Sequence, residues 1–253
     1  MNGIGLRWTA VGIGVLFWIS NLVTLLGGVV AGAVPTGASA MEGMSLHASQ
    51  IEAGTLIAHV NDFAIVGYAV LLYPVLARFH PGAALGYAAF KVIEAVMLLV
   101  AAATLLAVVA LSHSYQATGG TDTAAFQAPA AMALSQQFWA GRLAAYAYVV
   151  ATPVLNVTLY RTRLVPRWLS GWGLVACAML AAGLAMGVGD PMRGFEPGQL
   201  LLIPIILWEL TFATWLIVKG FSPSPARHRQ NVPNADSAIF ATTKPMPEVS
   251  RWW

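Results

Sequence analysis

A chain of 253 residues that is 58% hydrophobic and only 9% charged stands far from the roughly 25% charged content of soluble domains. Its mean hydropathy of +0.71 points to the bilayer. The net charge of +3 comes from 13 Lys and Arg against 10 Asp and Glu, with the basic residues scattered singly or in pairs, so no nucleic-acid-binding patch exists. The single Cys177 rules out a disulfide framework and any paired-cysteine metal or redox motif.

A hydrocarbon core about 30 Å thick takes about 20 apolar residues per helix. Six stretches pass this test, at about 9–33, 54–77, 82–111, 138–160, 168–188 and 200–218. The expected fold is all-α: a polytopic integral membrane protein with a six-helix transmembrane domain over 1–221. The first stretch has the outline of a secretory signal, with Arg7 before it and Ala38-Ser39-Ala40 after it. Its apolar run of about 25 residues exceeds the 7 to 15 of a signal core, so it reads as a retained helix. The Ala-rich segment 124–137 reads as a helix lying along the outer membrane surface. From 222 onward, prolines at 223, 225, 233, 245 and 247 and the loss of apolar periodicity predict a disordered cytoplasmic tail over 222–253, ending in Trp252 and Trp253.

Lys and Arg in short loops favour the cytoplasmic side. With the N terminus inside, Arg7, Arg78, Arg161, Arg163, Arg167, Lys219, Arg227 and Arg229 are cytoplasmic and Arg193 alone lies outside, beside Glu42, Glu52, Asp122, Asp190 and Glu196. Both termini are therefore expected to be cytoplasmic.

Asp62, Lys91, Glu94, Arg142 and Glu209 fall inside the spans, with His59 and the amides Asn21, Asn61 and Asn156. Each central charge costs about 2.5 to 3.5 kcal/mol on insertion scales, so these groups must be paired, hydrated or neutralised. At 1.5 Å per residue, His59 and Arg142 lie about 6 Å below the outer end of their spans and Asp62 about 10 Å. An Asp62–Arg142 pair is expected there, with His59 on the face of Asp62 because they are three apart. Counted from the inner end, Lys91 lies about 12 Å deep, Glu94 about 17 Å and Glu209 about 14 Å. This central layer has Asn21 at similar depth, and Lys91, Glu94 and Tyr87 share one inward face. Two carboxylates then share one ammonium, and one of them is expected to be neutral. His59, Asp62, Lys91, Glu94, Arg142 and Glu209 are the candidate groups for binding a ligand or protons; a structural ion-pair role is the alternative for each layer.

Pro153 and Pro204 each free a helix carbonyl. In the fifth span Gly173, Cys177, Ala181 and Ala185 recur every four residues, a small-residue face suited to close packing in the bundle or in a homodimer. No His-Glu-x-x-His or phosphate-loop motif occurs, nor a Gly-x-Ser-x-Gly elbow, and only His59 lies in a span where a haem would need two histidines. No cofactor, metal or catalytic residue is expected, and the balance leans away from an enzyme.

Three segments, YAAFKVIEAVMLLV, RTRLVPRWLSGWGL and IPIILWELTFATWLIVKGF, resemble a bacterial multi-pass membrane family catalogued as domain of unknown function 4386. The likeness covers 87–221. It implies a six-helix bundle in the bacterial cytoplasmic (inner) membrane and brings no activity with it. Where the family pattern would place Arg before the third-span acid, this chain has Lys91, which keeps the charge but loses the bidentate fork. In the inner loop, Arg161, Arg163 and Arg167 flank Pro166 and precede Trp168 and Trp172. Pro166 suits a helix start, and the arginines anchor topology and are candidates for lipid headgroup contact. Taken together, the sequence favours a small-molecule or proton-coupled carrier, or a ligand-binding membrane protein. The alternatives are a non-transporting module that assembles with a partner protein and, third, an intramembrane enzyme.

Overall fold

The computed structural model describes residues 3–35, 40–119, 123–187 and 197–222, all within the first of two compact units, Met1–Ser222. Ala38 and Ser39, the outer Asp122, Asp190, Arg193 and Glu196, and the segment 223–253 with Arg227, Arg229, Trp252 and Trp253 lie outside the described residues. Within them the elements are α1 (Gly3–Ala31), α2 (Ala40–Leu46), α3 (Ala48–Leu76), α4 (Pro81–Ala117), α5 (Thr123–Thr162), α6 (Arg167–Ala185) and α7 (Ile203–Val218), with a 3₁₀ turn at Pro197–Leu202 leading into α7. Six helices among the described residues are long and apolar enough to cross a membrane. No strand occurs among the described residues, as befits hydrocarbon, where each backbone amide must bond within its own segment.

The long helices form a closed ring in chain order. α1 packs on α3, α3 on α4, α4 on α5, α5 on α6 and α6 on α7, and α7 returns to α1. Glycines set the closeness of α1 to its two neighbours. A β-carbon on Gly27 would stand 2.5 Å from the Gly54 carbonyl on α3, and one on Gly14 would stand 2.6 Å from the Ala213 carbonyl on α7. The ring is locked at one end by Arg7. Its guanidinium donates to the Leu216, Ile217 and Val218 carbonyls, the Ile217 contact at 2.7 Å, and so satisfies acceptors that the end of a helix leaves open. The Ser222 amide donates to the Leu164 carbonyl at 2.8 Å, which brings the α5–α6 connection to the same end. The interior between the helices is filled by Phe17 of α1, stacked on Tyr68 of α3 and edge-on to Phe212 of α7, which itself stacks on Trp208.

Proline positions follow helix chemistry. Pro166 caps α6, and the sharp entry to it puts Arg163 at a φ of +55°. Pro74, Pro129 and Pro153 are inside helices. Pro204 was expected to free a helix carbonyl within the last span, but it sits in the first turn of α7, where its missing N–H costs nothing.

At the end opposite Arg7, the structure goes beyond the sequence reading. α4 has 37 residues and α5 has 40, about 55 and 60 Å of helix, nearly twice the hydrocarbon thickness. Segment 124–137 does not lie as a separate surface helix; it is the first part of α5. It packs with α2, the start of α3 and the end of α4 around a second apolar core of Met41, Met44, Ile51, Leu105, Val108 and Ala130. Burial of this cluster stabilises the protruding helices where a lipid-facing surface would not.

Candidate functional site

The polar groups of the spans meet in the interior. Lys91 and Glu94 on α4 are three residues apart and therefore share a helix face. Both are buried, Lys91 to 2% exposure, and the Nζ donates to Glu94 Oε2 at 2.8 Å. Lys91 Nζ also stands 4.1 Å from the centroid of the Tyr148 ring on α5 and 5.4 Å from that of Tyr68 on α3. The two rings present their electron-rich faces to the ammonium, a contact that strengthens on desolvation. The Tyr148 hydroxyl donates to Glu209 Oε1 on α7 at 2.8 Å. A chain of contacts thus runs Glu94, Lys91, Tyr148, Glu209 and joins three helices of the ring. Glu209 is half-buried while Glu94 is buried, so Glu209 is the member open toward the surface of the bundle. The inward face expected for Lys91 and Glu94 includes Tyr87, which is fully buried. The Tyr87 hydroxyl has no hydrogen-bond partner among the described residues.

The two acids divide their partners in a way that sequence did not resolve. They do not share the Lys91 ammonium: Glu94 takes the ion pair, and Glu209 takes the phenol. Tyr148 and Tyr68 escaped notice because tyrosine is ordinary in membrane helices. The usable signal was depth, because Tyr148 follows Arg142 by six residues toward the inner end of the same span and so reaches the central layer.

Toward the end opposite Arg7, Asp62 is 1% exposed, and its Oδ2 is bonded to His59 Nδ1 at 2.6 Å. Asn61 Nδ2 lies 3.4 Å from Asp62 Oδ1, and Ser20 of α1 donates to Asn61 Oδ1. The expected Asp62–Arg142 pair does not form. Arg142 donates to the Leu184 carbonyl on α6 at 2.5 Å and lies by the Phe138 and Tyr146 rings. Asp62 is held instead by His59 on its own helix, and Arg142 turns to α6. Asn21, placed at central depth by sequence, is satisfied on its own helix by donating to the Phe17 carbonyl at 3.0 Å.

Asn156 marks a third polar spot, where α5, α6 and α7 meet. It is fully buried and donates to the Thr152 carbonyl at 3.0 Å. A β-carbon on Gly173 would strike its Oδ1 and would stand 2.6 Å from Trp208 Nε1, a group that donates to the Leu169 carbonyl at 2.9 Å. Gly173 and Cys177 are therefore packing positions inside the bundle, Ala181 is half-buried and Ala185 is exposed. Arg161, Arg163 and Arg167 are exposed at the end shared with Arg7, and the Arg167 guanidinium lies 5.1 Å from the centroid of the Tyr160 ring.

Six membrane-crossing helices closed around a buried lysine–carboxylate pair define a multi-pass α-helical membrane protein. Residues 10–220 match the model of the family described as Domain of unknown function (DUF4386), and the chain belongs to that family. The match takes in all six spans, a wider reach than the 87–221 of the sequence resemblance. No curated protein and no solved structure matches the chain.

Proposed function

We propose that this protein is a carrier or ligand-binding protein of the bacterial cytoplasmic membrane, which engages a small solute at the central polar layer with a proton held on Glu94 or Glu209. The observation that carries this reading is the chain Glu94, Lys91, Tyr148, Glu209. Apolar residues of similar volume would usually fill such a space at no loss of stability, so a buried ion network is an expensive way to pack a bundle. Ionisable groups inside membrane helices are the expected substance of ligand and proton pathways. Two carboxylates to one ammonium leave a site able to take up one positive charge, as a proton or as a cationic group. Half-burial of Glu209 supports entry at that acid, and the His59–Asp62 pair supplies a second polar group toward the other end. Arg7, Arg78, Arg161, Arg163, Arg167 and Lys219 all belong to one end of the ring, which favours that end as cytoplasmic.

Native mass spectrometry of the full chain released from mild detergent tests the proposal. The expected result is a reproducible small molecule bound to the wild type and lost on Glu209→Gln, with the folded charge-state distribution unchanged. A bare chain, or one that retains only a second protein, overturns the reading in favour of an assembly module.

A further inference from the structure

The central layer contains a hydrogen-bonding group that the chain itself does not use. Tyr87 stands one helical turn before Lys91 and two before Glu94, so the three lie on one stripe of α4. The Tyr87 side chain is fully buried, and among the described residues its hydroxyl has no hydrogen-bond partner. A phenol can both give and accept a hydrogen bond, and burying it unpaired forfeits the bonds that water would supply. Phenylalanine would fill nearly the same volume without that cost. The oxygen is therefore held beside the ion pair at the expense of stability.

Charge and surroundings give the class of partner for this oxygen. Glu94 and Glu209 bring two carboxylates to the single Lys91 ammonium, which favours a cation and opposes a carboxylate or phosphate. The layer already holds one cation in this way. Lys91 Nζ lies 2.8 Å from Glu94 Oε2, and 4.1 and 5.4 Å from the centroids of the Tyr148 and Tyr68 rings. A carboxylate oxygen with aromatic faces around it is the usual reception for an ammonium group. A bare proton needs only the carboxylate. The unused phenol oxygen adds an acceptor for a cation that brings N–H groups of its own.

Resting on the reading of the central layer as a ligand site, we infer that its solute is a protonated amine, whose N–H groups are received by the Tyr87 hydroxyl oxygen and by one carboxylate of the layer. The ammonium takes the place of the proton on that carboxylate, which leaves to water as the amine arrives. Tyr87 is then the residue that selects an N–H cation over one without N–H groups.

The experiment is thermal unfolding of the full chain in mild detergent with methylammonium chloride, set against sodium chloride at equal concentration so that screening is the same. Methylammonium is expected to raise the Tm in a saturable way, as a ligand of the folded state does, and sodium is not. Tetramethylammonium, which has no N–H to donate, shifts it less. Tyr87→Phe keeps or raises the Tm without methylammonium, because the unpaired hydroxyl is gone. It also weakens methylammonium binding by about tenfold, the loss of one hydrogen bond to a charged group. Tyr73→Phe, an exposed tyrosine of α3, leaves that binding unaltered. The assignment is overturned by a methylammonium shift no larger than that of sodium, by tetramethylammonium acting as strongly as methylammonium, or by a Tyr87→Phe protein that either loses stability on its own or binds methylammonium as the wild type does. Any of these beside a small molecule retained in native mass spectrometry removes the amine and leaves the ligand-site reading standing. A bare chain with no methylammonium shift removes both.

Discussion

Lys91→Met would leave the Glu94 carboxylate buried with its ammonium gone, and breaking a buried pair from one side costs about 3 to 5 kcal/mol. Adding Glu94→Leu removes the stranded charge, and the double variant should recover most of the loss. Thermal unfolding in detergent, run as a double-mutant cycle, reads both steps. A Lys91→Met protein as stable as the wild type would mean that water reaches the pair. Residue identity and spacing made this pair legible, since three apart on a helix is one face. Spacing along one helix says nothing of the neighbour across the gap. Tyr148 and Glu209 are 61 residues apart in sequence and meet only because α5 and α7 converge on the ring interior. For the same reason, equal depth suggested an Asp62–Arg142 pair, whereas Asp62 is bonded to His59 and Arg142 to the Leu184 carbonyl.

Between elements, close approach is written in glycines. At Gly54 a β-carbon would strike the Ala31 amide and stand 2.5 Å from the Gly27 carbonyl, backbone atoms that cannot turn aside as a side chain can. Gly54→Val should therefore push α1 from α3 and destabilise the fold by about 1 to 3 kcal/mol, the usual cost of overpacking. Gly86→Ala, where a β-carbon meets nothing within 4 Å, should be neutral or stabilising by up to about 1 kcal/mol, because alanine favours the helix. Paired melting curves in one detergent would separate the two, and equal shifts would remove the close-approach argument. Sequence shows the small residues of α6 but misleads about their direction. At 3.6 residues per turn, each step of four advances about 40°, so Gly173 to Ala185 turns through about 120° and passes from Asn156 and Trp208 in the interior to the exposed surface.

For the molecule as a whole, hydropathy revealed the six crossings because hydrocarbon demands about 20 apolar residues wherever the chain enters it. It was silent about the lobe at the end opposite Arg7 because that demand ends at the headgroups. Ser112, His113, Ser114 and Gln116 interrupt the apolar run, yet α4 continues through them to Ala117. Leu105 is 24 residues beyond Pro81, about 36 Å along the helix against a hydrocarbon thickness of about 30 Å, so the second core around Met44, Ile51 and Val108 stands past that length. There the hydrophobic effect operates in its ordinary aqueous form, as it does not between helices in lipid. Met44 is fully buried, and Met44→Ala should cost about 2 to 5 kcal/mol, charged to the lobe rather than to the ring. Hydrogen–deuterium exchange on the detergent-solubilised chain should then show faster exchange in α2, the end of α4 and the start of α5. The amides around Lys91 and Tyr148 should keep their protection, since the aromatic core of Phe17, Tyr68 and Phe212 is untouched. If exchange instead rises uniformly through all six spans, the lobe and the ring open as one cooperative unit, and the long α4 and α5 transmit the loss from one core to the other.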